Sequence, residues 1–318
     1  MADGRSEPGV FVELDELVEL RGQARHSSFL PQQPMRSLLA GRRASRLRGR
    51  GLDFDELRGY VPGDDVRSID WHVTARMRKP YVRTYKEERD RPVLLVVDQR
   101  PSMFFGSQQV MKSVAAARLA ALAAWRVIAV GDRVGALIVS QHEDLAVRPS
   151  RSSANVFYLC ELLTKVGREL ATAGAARPIA EEPFARALRA TSELAPRDTL
   201  VILISDLRGF SEDSVALLGS LRKHNDLLVA WIVDPLETAL PDLGLVPVTD
   251  GHSTLSVPTA DAGFRARFAA KFADDTRRVR EFCAGSGAPY FELRTDRDLL
   301  EQVRDTFGES RLPVGRAR

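Results

Sequence analysis

The sequence predicts a doubly wound α/β domain with a mostly parallel sheet, of the Rossmann type, preceded by an Arg- and Asp-rich extension that contains β-structure. Three observations carry that prediction. Two runs, Val93 to Val97 (VLLVV) and Thr199 to Ser205 (TLVILIS), are apolar at nearly every position and rich in β-branched residues, as strands buried on both faces are. Each run ends in an acid, Asp98 or Asp206, and gives way to a turn and a helical pattern. Strand and helix signals alternate from there towards the C-terminus, an order that covers both faces of a parallel sheet. If the strands take the common order 3-2-1-4-5-6, the first and fourth are neighbours. Asp98 and Asp206 then converge on the crevice at the carboxyl edge, where ligands bind in such sheets.

The chain begins with an amphipathic helix over Val10 to Arg25, in which Val10, Leu14, Leu17, Val18 and Leu20 recur at helical spacing among acids. Residues 1–40 therefore read as a helical arm, broken by Pro31 and Pro34. Residues 41–91 read as one block of mixed charge. Its first part, GRRASRLRGRG at 41–51, holds five arginines but no aromatic residue on which a base could stack, so it reads as a solvated loop. Pro62-Gly63-Asp64-Asp65 is a turn signal, with both acids as backbone caps rather than catalysts. His72, with no second ligand nearby, reads as structural. Tyr81, Arg83 and Tyr85 alternate with Val82 and Thr84, the pattern of a strand exposed on one face. Ion pairs between Asp64, Asp65, Asp70, Glu87, Glu88 or Asp90 and Arg67, Arg76, Arg78, Arg83, Arg89 or Arg91 are expected to hold the block together.

The α/β domain occupies 92–308. After the first strand, Ser107 is placed to cap a helix that buries Val114, Ala117, Ala121, Trp125 and Ile128 and ends at Gly131. Arg133 to Ser140 is the second strand, and Asp144 to Val147 a third that returns as a hairpin. Helices follow at Ala154–Leu170 and Pro183–Leu194. The fourth strand, Thr199 to Ser205, leads to a helix from Ser211, and Asp226 to Val233 is the fifth. Residues 236–260 read as an inserted β-hairpin, Ala262 to Ala284 as a long helix, Pro289 to Leu293 as the last strand and Asp296 to Phe307 as the last helix. Residues 309–318 read as a loose tail.

Composition narrows the function. With 318 residues and 44% hydrophobic content, a sizeable core is available. The net charge of +3 is unevenly spread: residues 36–92 carry 15 basic and nine acidic side chains, whereas 93–318 balance at 28 of each. Cys160 and Cys283 lie far apart without CxxC spacing, so they read as buried thiols rather than a zinc site or disulfide. The longest apolar stretch, Ser113 to Val130, contains Arg118 and Arg126, which argues against a membrane span. The N-terminus is acidic and lacks a secretory pattern, making the cytoplasm the expected compartment. No GxGxxG follows the first strand, and neither GxxxxGK[ST] nor GxSxG occurs. Dinucleotide binding, nucleotide hydrolysis and serine hydrolysis thus lack support.

What remains is the crevice. Asp98, Ser102 and Asp206 offer hard oxygens of the kind that hold Mg²⁺. The same acids can equally cap helix N-termini or pair with Arg100 and Arg208. Spacing leaves both readings open.

Two stretches, RGRGLDFDELRGYVPGDDVRSIDW at 48–71 and VRTYKEERDRPVLLVVD at 82–98, resemble the bacterial DUF58 family, in which such a block precedes a von Willebrand factor A-like domain. DQRPS at 98–102, with ISD at 204–206, resembles the metal-ion-dependent adhesion site of that fold, whose pattern is D-x-S-x-S with a distant Thr and Asp. The resemblance covers about residues 40–300. It implies a non-enzymatic adaptor or chaperone partner of a MoxR-type AAA+ ATPase and a client protein. Carried over, Asp98 matches the first acid, Ser102 the second serine and Asp206 the distant acid. Thr172 lies in the region of the threonine but without its Gly-Gly-Thr context.

Arg100 departs from the pattern by standing where the first serine belongs, and a guanidinium cannot ligate a metal. It can instead neutralise Asp98 and Asp206 as an internal substitute. The expectation is thus a degenerate adhesion site that recognises partners through Asp98, Arg100, Ser102, Asp206 and Arg208, with no cofactor. The alternative keeps Mg²⁺ on Asp98, Ser102, Asp206 and Thr172. A nucleic-acid partner is not expected, and the competing function is a Mg²⁺-dependent hydrolase of phosphate esters or nucleic acid using Asp98 and Asp206.

Overall fold

The structure, a computed structural model, describes residues 9–24, 52–62, 64–87, 92–141, 143–172, 183–195, 197–249 and 254–307. The arginine run at 41–51 and the tail at 309–318 lie outside the described residues. In chain order the elements are α1 (Leu14–Ala24), β1 (Leu52–Gly59), α2 (Trp71–Met77), β2 (Tyr81–Glu87), β3 (Val93–Asp98), α3 (Lys112–Ala129), β4 (Val134–Val139) and β5 (Leu145–Ser150). Then come α4 (Ser153–Thr172), α5 (Pro183–Leu194), β6 (Leu200–Ser205), α6 (Glu212–Arg222), β7 (Asp226–Val233) and α7 (Pro235–Thr238). The chain closes with β8 (Leu245–Thr249), β9 (Thr254–Pro258), α8 (Ala262–Ser286), β10 (Tyr290–Arg294) and α9 (Leu299–Phe307). They form two compact units, residues 36–90 and residues 1–35 with 91–318.

In the smaller unit, β1 and β2 form an antiparallel ribbon with a bulge between Phe54 and Glu56. Three of its acids, Asp64, Asp65 and Asp70, accept from backbone N–H groups. Asp70 caps α2 by accepting from the N–H groups of His72 and Val73, and Asp65 caps a short 3₁₀ turn by accepting from Arg67 N. Asp64 takes the two arms of Arg58 at 2.7 and 2.8 Å and also the N–H of Val61. His72 is exposed.

The larger unit holds a six-stranded sheet in the order β5-β4-β3-β6-β7-β10, parallel except for β5. Counted along the chain this is the 3-2-1-4-5-6 arrangement, with β5 returning beside β4 as the expected hairpin. Successive side chains in a strand point to opposite faces, so a continuous apolar run feeds two cores. Leu95, Val97, Ile202 and Ile204 pack with α1, α3, α4 and α9. Leu94, Val96, Leu203 and Trp231 pack on the other face with α5, α6 and α8. On β4, Gly135 has no substitute: a Cβ there would lie 2.6 Å from the carbonyl oxygen of Val147, where the β4–β5 register shifts.

The arm belongs to this unit. Leu17 and Leu20 of α1 are buried in its core, and the indole of Trp125 donates to the Leu17 carbonyl at 2.9 Å. The inserted hairpin is β8–β9. Cys160 and Cys283 are buried free thiols, pushed up by that burial to about 12 and about 11. One boundary differs from expectation: α3 starts at Lys112 with Met111 at its N-cap, not at Ser107. Between β3 and α3 the chain makes a 3₁₀ turn over Pro101–Met103, and the Ser107 N–H donates to the carboxylate of Asp234 at 2.9 Å. The first N–H of α3, that of Lys112, is met by the Phe105 carbonyl at 2.8 Å rather than by a side-chain cap.

Candidate functional site

β3 and β6 run in parallel register, with Val97 beside Ile204, so the two acids leave the sheet side by side. Both are buried: Asp98 is 2% and Asp206 7% exposed. Arg100 fills the space between them. Its Nε and Nη2 donate to Oδ1 and Oδ2 of Asp98 at 2.9 and 2.7 Å, a fork on a fork. The same Nη2 donates to the Arg208 carbonyl at 2.9 Å and lies 3.7 Å from Oδ1 of Asp206. The guanidinium carbon stands 5.0 Å from the centre of the Phe184 ring, within range of a cation–π attraction.

The strand ends lock the geometry further. Ser205 donates its hydroxyl to Asp98 Oδ2 at 2.6 Å and accepts from the N–H of Leu207 at 2.9 Å. Leu207 is thereby held at a φ of 58°, left-handed backbone that disfavours a non-glycine residue. A side chain and a backbone constraint therefore fix the start of the loop that carries Arg208.

A second cation was missed by sequence reasoning. Lys112, wholly buried at the first position of α3, donates to Asp206 Oδ2 at 2.8 Å and to Glu237 Oε1 at 2.7 Å. A helix N-terminus carries partial positive charge and disfavours a cation, so the two carboxylates must compensate. Glu237 is itself fixed by a capping box with Asp234 at the start of α7, and Arg208 donates to it at 3.2 Å. Asp98, Asp206 and Glu237 thus face Arg100, Lys112 and Arg208, a balanced set of charges. The signal in the sequence was a lone lysine opening a helix that is apolar apart from Ser113, Arg118 and Arg126. Nothing local told it from a solvated one.

Burial pushes the Asp206 carboxyl up, but the charge and hydrogen bond of Lys112, the N–H of Arg208 and the charge of Arg100 more than offset this and hold it below the usual carboxylate range. Asp234 is also held low: burial opposes ionisation, while Thr295, Ser107 and the N–H of Leu236 favour it. Ser102 lies on the turn after β3 with its hydroxyl oxygen buried and without a hydrogen-bond partner among the described residues. Thr172 is the last residue of α4, and its side chain lies outside the described residues. Arg208, 62% exposed at its side chain, reaches solvent.

These residues do not fit a divalent ion. Each carboxylate oxygen of Asp98 and Asp206 already accepts from a cation or an N–H at 3.0 Å or less. Two buried cations stand beside them, where Mg²⁺ would require lone pairs. Among the described residues, no group of three or more His, Cys, Asp and Glu is placed to hold a metal. The crevice is suited to holding loops in one arrangement.

A family model described as "Protein of unknown function DUF58" matches residues 56–278. Uncharacterized protein Rv1480 of Mycobacterium tuberculosis is 31% identical over 273 residues, spanning 86% of this chain and 84% of that one, and Uncharacterized protein Mb1516 of Mycobacterium bovis matches equally. Among solved structures, the conserved hypothetical protein BatB from Bacteroides thetaiotaomicron aligns with 68% of this chain and 98% of its own at 12% identity and a TM-score of 0.41. The SpRpn10 VWA domain aligns with 69% and 96% at 9% identity and a TM-score of 0.33. Among the described residues, no helix is long and apolar enough to cross a membrane.

Proposed function

The chain belongs to the DUF58 family, and from that premise we propose that it is a non-enzymatic protein-interaction module. In this reading it is a cytoplasmic adaptor or assembly partner that links a MoxR-type AAA+ ATPase to a client protein. It docks at the mouth of a degenerate adhesion site that works without metal. The observation carrying this reading is the cluster in which the buried Arg100 and Lys112, with Arg208 at its exposed edge, bind the carboxylates that an ion would otherwise bind. A site with tethered cations keeps its loops in place without an exchangeable ligand.

The buried members cannot themselves touch a partner. Asp98, Arg100 and Asp206 are positioning residues, the Ser102 hydroxyl is turned inward, and contact falls to the exposed lip, namely Arg208, Pro101 and Phe105. No observation favours the Mg²⁺-dependent hydrolase, because the acids it would use have committed their oxygens to Arg100, Lys112 and N–H groups.

Two measurements test the reading. Mg²⁺ titrated calorimetrically into chelator-treated full-length chain should give no saturable heat; a saturable site would overturn the metal-free assignment. Immobilised chain should retain a MoxR-type ATPase encoded beside it, and Arg208→Glu should weaken retention. Failure of the folded chain to retain the ATPase would remove the adaptor role.

A further inference from the structure

In the smaller unit, the connection between β1 and β2 runs from Tyr60 to Pro80 and is tied at its base. The Tyr60 N–H donates to the Pro80 carbonyl and the Asp70 N–H to the Tyr81 carbonyl, both at 2.8 Å. Ile69 bridges to Val82, and the Tyr81 N–H donates to Thr74 Oγ1 at 3.1 Å, so one side of α2 is held to β2. Val73 and Thr74 are half-buried on that side. Helical spacing puts Trp71, His72, Ala75 and Arg76 on the opposite side of α2, and all four are exposed.

The connection is rich in exposed apolar groups. Trp71 is 65% exposed, and Val61, Val66 and Met77 are each more than half exposed. Single exposed apolar residues are ordinary on a protein surface, but here four belong to one connection. Arg67, Arg76, Arg78 and Lys79 stand exposed among them. Of the ion pairs expected in this block, those of Arg83 and of residues 87–91 fall on side chains outside the described residues. Those of Arg67, Arg76 and Arg78 are not formed among the described residues. Asp64 is taken by Arg58, and Asp70 is buried as the cap of α2. Asp65, which accepts from the backbone N–H of Arg67, is the one exposed acid of the connection against these cations. The surrounding stretch has the same sign, since residues 36–92 carry 15 basic and nine acidic side chains.

Such a surplus calls for an anionic partner, and the apolar residues decide which. Val61, Val66 and Met77 have no planar face on which a base could stack, so Trp71 alone would serve a nucleic acid. In the headgroup layer of a bilayer all four can leave water at whatever spacing the chain gives them, and an indole is favoured there. Arginine and lysine beside them meet the lipid phosphates.

We propose that the β1–β2 connection is a docking surface for an anionic phospholipid bilayer. Trp71 enters the boundary between headgroups and acyl chains, and Arg67, Arg76, Arg78 and Lys79 pair with lipid phosphates. The attachment is peripheral and lies within the smaller unit, so it stands or falls apart from the reading of the crevice.

The test uses the full chain and vesicles of equal parts phosphatidylglycerol and phosphatidylcholine, with vesicles of phosphatidylcholine alone as the counterpart, read by co-sedimentation. The anionic vesicles should bind the chain saturably, lose affinity as salt rises and bind the double variant Arg76→Glu/Lys79→Glu at least about tenfold more weakly. Both positions are exposed, so the variant should keep the wild-type thermal midpoint. Trp71 supplies a second readout. The chain's other two tryptophans, Trp125 and Trp231, are 1% and 4% exposed, so quenching of the emission by acrylamide reports Trp71. Anionic vesicles should shift that emission to the blue and shield it from acrylamide, and Trp71→Ala should abolish the shift. No binding to the anionic vesicles, equal binding to both kinds, or unchanged affinity in the double variant would overturn the proposal. So would saturable binding of oligothymidylate with none of the vesicles, which would make the connection a nucleic-acid surface.

Discussion

Each unit contains an Arg–Asp pair joined by two short hydrogen bonds of nearly the same length. Arg58 grips Asp64 at 2.7 and 2.8 Å, and Arg100 grips Asp98 at 2.7 and 2.9 Å. Their surroundings differ. The first pair has side chains 39% and 20% exposed, the second 7% and 3%. Water and salt screen the first, so it serves as a clasp on the Val61–Asp64 turn. The second lies between apolar walls with Lys112 and Asp206 beside it, and the removal of any member leaves an uncompensated charge in low dielectric. The number and length of the bonds are shared, and burial decides what each pair does.

The sharpest break of that contrast is Lys112→Ala. It strands Asp206 and Glu237 without their shared cation, and a broken buried pair costs about 3–5 kcal/mol. Urea denaturation should place the loss in that range. Neutralising the stranded acids as well, in Lys112→Met/Asp206→Asn/Glu237→Gln, should recover much of it, since an apolar or neutral replacement of a whole buried pair is tolerated. A Lys112→Ala loss no larger than that of an exposed lysine would mean that the cluster is not the electrostatic centre of the crevice.

A smaller effect should appear with acid. The fold holds the Asp206 carboxyl below its ordinary value of 3.8. Its ionised form is therefore favoured by folding, and the contribution is complete above that value and fades as the pH falls through the lower folded one. The stability gap between wild type and Asp206→Asn should be widest at neutral pH and narrow below about pH 4. A gap that stays constant down to pH 2 would show that the charge on Asp206 contributes nothing.

How far the site was legible follows from the same contrast. Asp98 and Asp206 could be read because each ends a continuous apolar strand, and two such strands in a doubly wound sheet place their exits together. Arg100 could be read because it interrupts a motif. Lys112 could not: it lies 94 residues from Asp206 and 125 from Glu237, and its partners are supplied by tertiary packing. Ser107 also has a tertiary partner that its neighbourhood does not announce: its N–H donates to Asp234, 127 residues away, and α3 begins only at Lys112. Strand periodicity is local and was read; side-chain partnership across the sheet edge is not local.

The smallest effect should come from the exposed pair. In Asp64→Ala, the Arg58 guanidinium and the Val61 N–H lose their acceptor, but both are within reach of water, so no group is left desolvated. Arg58 also holds the Asp64 carboxyl below its usual range by a hydrogen bond and its charge, an effect that solvent screens. The thermal midpoint of the α/β unit should stay at its wild-type value, and any change should be confined to faster amide exchange around Val61 and Asp64. If Asp64→Ala instead lowered stability as much as Lys112→Ala, the exposed clasp would have to be a buried joint, and the contrast between the two pairs would collapse.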